Sequence, residues 1–188
     1  MSRIAPKLNS TYTWYLKLLF YLQKKKYGAL LEPVLLWGRT PRVFLGFLAM
    51  QKALNRKRSP LHPQLRALIT IRVSQINQCP FCIDMNSSLL LQRGGSEEKI
   101  LNLSLFRQSS CFTEPEKTAL EYAEVVTQSS NNVNDELFQR LKTHFEEDAI
   151  IELTALIAFQ NLSSKFNSAL NAAEFGFCKT LHNKQERL

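Results

Sequence analysis

The run Pro63-Gln64-Leu65-Arg66-Ala67-Leu68-Ile69-Thr70-Ile71-Arg72-Val73-Ser74-Gln75-Ile76-Asn77 decides the fold class. Its Leu65, Leu68, Ile69, Val73 and Ile76 recur at helical spacing and fall on one stripe. Directly after it, Pro80 suits the first position of a second helix, which runs to Arg93 and stops at Gly94-Gly95. Further out, Thr113 and Glu116 form a capping box with Pro115 inside it, opening a helix to about Gln128 through Ala119, Leu120, Ala123 and Val126. Asn134 caps a short helix reaching His144, and an apolar helix spans about residues 147–170. Toward the N-terminus, beyond Arg58-Ser59-Pro60, the pattern predicts a helical hairpin. Its arms are residues 12–27 and 41–54, with a turn near Glu32-Pro33. With 6 glycines and 7 prolines in 188 residues, there are few turn residues for many short strands. The expectation is therefore all-α: one globular unit with a hairpin extension (1–58), a core (59–175) and a C-terminal tail (176–188).

Hydrophobic residues make up 45% of the chain, which excludes a disordered or collagen-like protein. The formal net charge of +8 would suit nucleic acid or an anionic surface, but the basic residues are scattered and no nucleic-acid motif accompanies them. They read as solvated helix faces, with no nucleic-acid partner expected. The apolar stretch 14–22 contains Lys17, ends at Lys24-Lys25-Lys26, and is shorter than the roughly 20 residues a bilayer span needs. A cytoplasmic location with no membrane partner is expected. Four cysteines in a reducing compartment point to metal or redox chemistry rather than structural disulfides.

Cys79-Pro80-Phe81-Cys82 is the motif that carries chemistry. Three residues apart on the first turn of a helix, its thiols occupy neighbouring surface. Unpaired amide N–H groups and the helix dipole favour a thiolate there, and the thiolate is the nucleophile. Three other readings stand beside this one. Cys178 and His182 would complete a zinc set, though across an interval of almost a hundred residues. The two cysteines would otherwise be inert core residues, or a chance oxidation-prone pair.

The stretch Leu65 to Asn86, with its Arg72-Val73-Ser74-Gln75-x-Asn77-x-Cys79-x-x-Cys82-x-Asp84-Met85 core, resembles the carboxymuconolactone decarboxylase-like superfamily, and within it the alkylhydroperoxidase D (AhpD)-like branch. The resemblance extends to Tyr27-Gly28, Glu32-Pro33, Leu137-Phe138 and Ile150-Ile151-Glu152-Leu153, and so covers most of the chain. It implies an AhpD-like helical bundle with the CxxC at the N-terminus of a core helix, assembling into homo-oligomers, often trimers or hexamers. It also implies an antioxidant, peroxiredoxin-type activity. By motif position Cys82 would attack the hydroperoxide and Cys79 would resolve it, and a protein dithiol or small thiol would reduce the disulfide. No metal, flavin or haem cofactor is implied. The helix-terminus argument points instead to Cys79 as the favoured thiolate, unless local packing favours Cys82.

The same resemblance exposes a departure. Where the peroxidase pattern has a relay glutamate and histidine, this chain has Ala67 and Asn86, neither of which transfers a proton as an acid or base. Asn86 is expected to orient a thiol or thiolate as a hydrogen-bond donor and is taken as the third site residue. Asp84, at i+2 from Cys82, belongs to another helix face. His62, Glu121, Glu124 and Glu152 are weighed as replacement relays against structural roles, His144 as a surface residue, and Cys111 and Cys178 as inert. Ring-opened lactone decarboxylation, which does not depend on a CxxC, fits the dithiol poorly. A chain that has lost its relay would serve as a dithiol redox sensor or an oligomeric scaffold.

Overall fold

A computed structural model describes residues 2–5, 7, 11–128 and 132–178, so His182 and most of the tail lie outside the described residues. The expected all-helical architecture holds. Among the described residues the elements are α1 (Trp14–Tyr27), α2 (Glu32–Trp37), α3 (Pro41–Leu54), α4 (Pro63–Ile76), α5 (Pro80–Gln92), α6 (Glu97–Asn102), α7 (Glu114–Thr127), α8 (Asp135–Lys142) and α9 (Glu147–Ala169). A 3₁₀ turn, Leu103–Leu105, follows α6.

Helix α4 is the centre of the molecule. Positions 65–71, together with Val73 and Ser74, are all buried, because α5, α7 and α9 each pack against it. The stripe of the sequence reading is thus an underestimate: a helix enclosed by three others is buried almost all round. His62 starts α4 by accepting from the Gln64 amide through Nδ1 at 3.4 Å. At its end the chain reverses through Gln78 at φ 51°, and the Cys79 amide reaches back to the Ser74 carbonyl at 3.0 Å. That turn delivers Cys79 directly to the N-cap of α5.

The capping box at Thr113 forms as read: Thr113 Oγ1 accepts from the Glu116 amide at 3.4 Å, and Glu116 Oε2 accepts from the Thr113 amide at 2.9 Å. Asn134 Oδ1 accepts from the Leu137 amide at 2.9 Å and caps α8. Two details differ from the sequence reading. Glu32-Pro33 opens a short helix, α2, rather than a turn, since Pro33 fits its first turn. Helix α6 had no strong periodic signal, being only six residues long and capped by Ser96.

The N-terminal helices pack within their own chain. Trp37 stacks on Phe166 of α9 with centroids 3.7 Å apart, and Phe47 of α3 meets Phe159 of α9 at 4.8 Å. Tyr27, Leu31 and Val34 close over Cys79, Phe81 and Cys82. No helix among the described residues is long and apolar enough to cross a membrane.

Candidate functional site

Cys79 and Cys82 sit side by side at the start of α5, 0% and 4% exposed. The Cys82 amide, one of the unpaired donors of the first turn, donates to Cys79 Sγ at 3.3 Å. Cys82 Sγ accepts instead from across the bundle: Asn167 Nδ2 of α9 lies 3.3 Å away, and Gln160 and Ser163 of the same helix add further donors. Gln160 Nε2 is itself anchored on Ser74 Oγ at 2.8 Å, which ties this donor set to α4.

These contacts separate the two sulfurs. The hydrogen bond from Cys79 is the largest influence holding the Cys82 thiol below its ordinary value. Burial opposes it, and the Asn167, Ser163 and Gln160 donors reinforce it. Cys79 moves the opposite way, pushed up by its hydrogen bond to Cys82 and by burial. Local packing therefore outweighs the helix-terminus argument and makes Cys82 the more acidic of the two thiols.

Cys82 lines a cavity of about 190 Å³ formed between α1, α2, α3, α5 and α9 and open to solvent. One part of its wall is aromatic, with Trp37, Phe44, Phe47 and Phe159; Asn86, Gln160, Ser163 and Asn167 supply polar groups. Asn167 Oδ1 is buried with no hydrogen-bond partner, a cost that packing alone does not explain.

Asn86 lines the cavity but does not make the expected hydrogen bond to sulfur. Its Nδ2 donates to the Cys82 backbone carbonyl at 2.8 Å, one helical turn back, and the sulfur's donors come from α9. Ala67 is buried in α4. The weighed replacement relays are engaged elsewhere. Glu152 is held by Arg56 and Ser59, Glu124 by Arg72 and Arg107, and Glu121 by Arg140 at 2.8 Å. His62 caps α4 and His144 is exposed. Asp84 is 1% exposed and is engaged by backbone amides. Its carboxylate accepts from the amides of Phe175, Gly176, Phe177 and Cys178 at 2.7–3.2 Å, fastening the C-terminal segment along α5. No cluster of three or more metal-ligating side chains occurs among the described residues.

Asn167, Gln160 and Ser163 were missed because α9 reads as an apolar helix. Their signal was present: residues 160, 163 and 167 are polar at three- and four-residue spacing, a stripe on one face of that helix.

The description "Carboxymuconolactone decarboxylase family" belongs to a family model that matches residues 41–125. The uncharacterized Escherichia coli (strain K12) protein YnjA is 42% identical over 159 residues, spanning 85% of this chain and 87% of its own. A solved AhpD-core structure, an uncharacterized peroxidase-related protein from Ralstonia eutropha JMP134, superposes with a TM-score of 0.82 at 20% identity. That match covers 93% of this chain and 92% of the other. The debrominase Bmp8, solved as a cysteine-to-alanine variant in complex with 2,3,4-tribromopyrrole, also gives 0.82 at 22% identity, with 97% and 99% covered. At these identities the two structures speak to the shared fold.

Proposed function

The chain belongs to the carboxymuconolactone decarboxylase family, and on that premise we propose that it is a thiol-dependent peroxidase whose Cys82 reduces an organic hydroperoxide and whose Cys79 resolves the product. One observation carries this reading: the Cys82 sulfur, held among the Asn167, Gln160 and Ser163 side chains with Cys79 beside it, opens on a cavity with an aromatic wall. The Cys82 thiolate attacks the terminal peroxide oxygen and the O–O bond breaks. Cys82 becomes a sulfenic acid, and the departing alkoxide takes the Cys79 proton to leave as an alcohol. The Cys79 thiolate then attacks the Cys82 sulfur, forming the disulfide and releasing hydroxide to the solvent, where buffer acid neutralises it. A protein dithiol or small thiol restores both thiols by exchange. The peroxidase-related Ralstonia protein lends this chemistry support by analogy of fold.

Among the described residues lining the cavity there is no carboxylate and no imidazole. General acid–base assistance is typically worth ~10²–10⁴-fold, so turnover is expected to be slow relative to a site with a Glu/His relay. The test is peroxide consumption by wild type, Cys79→Ser and Cys82→Ser with dithiothreitol, alongside free-thiol titration. Turnover that disappears in Cys82→Ser supports the reading; no turnover with any reductant rejects it. The missing relay favours a second reading, a dithiol redox sensor. Two thiols would then vanish at low peroxide in wild type without catalytic turnover.

Self-association belongs to the same proposal. Val43 and Met50 of α3 and Leu162 of α9 leave an apolar groove exposed, which a second copy would cover. Light scattering after size exclusion tests this: a monomer at micromolar concentration rejects it.

A further inference from the structure

The cavity over Cys82 is uncharged in a strongly basic protein. The chain carries a formal +8, yet no Lys, Arg, Asp, Glu or His occurs among the described residues that line this space. Its polar groups are amides and hydroxyls, apart from Cys82 itself. A carboxylate or phosphate entering it would lose hydration and find no counter-charge, and an ammonium would find only the Cys82 sulfur that has to react, which disfavours charged substrates.

Shape narrows the class further. Trp37, Phe44 and Phe159 each lie within 31° of parallel to Phe47, with centroid separations of 4.7, 6.5 and 4.8 Å. Stacked on one another and, through Trp37, on Phe166, these rings turn mainly their edges to the cavity, an apolar wall suited to an edge-to-face aromatic group. The volume of about 190 Å³ sizes the part of a ligand seated there. An engineered apolar cavity of ~150 Å³ binds benzene, so the seated part is about one substituted ring.

Resting on the peroxidase reading for its chemistry, we propose that the cavity selects uncharged substrates built on a single aromatic ring, so that the substrates are neutral aryl-alkyl hydroperoxides. The ring lies against Trp37 and Phe47, and the peroxide end meets Cys82 among the amide and hydroxyl donors of α9. Charged fatty-acid hydroperoxides and bare hydrogen peroxide are poor substrates, the first disfavoured by charge and the second lacking the ring that binds.

The test separates binding from turnover. Of the two tryptophans, Trp14 is 77% exposed and Trp37 lines the cavity, so Trp14→Phe leaves Trp37 as a sole fluorescent reporter. Titration with the neutral alcohol 2-phenylpropan-2-ol is expected to shift Trp37 emission saturably, with benzoate binding at least about a hundredfold more weakly. Gln51→Lys, at the exposed rim, is expected to narrow that gap at least about tenfold by supplying a counter-charge. In parallel, kcat/KM is compared for cumene hydroperoxide, tert-butyl hydroperoxide and hydrogen peroxide. Equal binding of benzoate and the alcohol, or no response of Trp37 to either, overturns the proposal. Selective binding without hydroperoxide consumption upholds the cavity assignment and rejects the peroxidase reading. Consumption that makes no distinction between cumene and tert-butyl hydroperoxide upholds the peroxidase and rejects the assignment.

Discussion

Replacing Asn167 by alanine removes the donor that α9 places 3.3 Å from Cys82 Sγ. A hydrogen bond to a charged acceptor contributes about 1.5–3 kcal/mol, and one pKa unit corresponds to 1.36 kcal/mol. Cys82 keeps the Cys79, Gln160 and Ser163 donors, so the loss is expected at the lower part of that range, raising the thiol pKa by about one to two units. Asn167→Asp, which sets a negative charge beside the thiolate, should raise it further. The measurement is the rate of iodoacetamide alkylation at Cys82 against pH, read from the labelled peptide, because only the thiolate reacts. Stability provides the control. The buried Asn167 Oδ1 has no partner in wild type, so its removal relieves a desolvation cost that offsets the lost donor. Unfolding free energy should therefore change by less than about 1 kcal/mol. An inflection that stays in place or moves down would refute the idea that α9 sets the nucleophile. A large loss of stability with an unmoved inflection would make Asn167 a packing residue.

Three other outcomes are expected. Cys82 is depressed below 9.0 and Cys79 raised above it. The pair's contribution to stability should therefore rise with pH up to about 9, where only the unfolded Cys82 still holds its proton. Above that it should fall, where only the folded Cys79 does; urea unfolding of wild type against Cys79→Ser across pH checks both limbs. Asp84→Ala strips four backbone N–H groups of their acceptor and should cost about 2–4 kcal/mol. Hydrogen exchange should localise the loss to residues 175–178, with the alkylation profile of Cys82 unchanged. Glu152→Gln breaks its pairing with Arg56, which is half exposed, and should lower stability by about 1–2 kcal/mol in a thermal melt without affecting peroxide turnover.

Much of this molecule was legible from residues close together in the chain. Pro80 at a first-turn position, the Thr113/Glu116 box and the Asn134 cap act over three or four residues, and each forms where its local chemistry places it. The CxxC could be located at a helix start for the same reason, and the loss of the relay could be read from Ala67 and Asn86 once the resemblance supplied the register. Asn86 shows where local reading stops. Its residue type allowed a bond to sulfur, but the carbonyl one turn back on its own helix lies within reach and takes the donor. The buried carboxylates Glu124 and Glu152 likewise looked like possible bases until the arginines that hold them were placed beside them.

Which thiol is the more acidic, and what lines the space beside it, was decided by tertiary structure. Asn167 is 85 positions from Cys82, and the aromatic wall joins Trp37, Phe44 and Phe47, some thirty to forty residues before the motif, to Phe159 of α9 well after it. A helix start offers both cysteines a similar local field, so sequence spacing leaves them nearly equivalent. Packing α9 against α5 breaks that equivalence, because hydrogen bonds act over about 3 Å of space and take no account of distance along the chain.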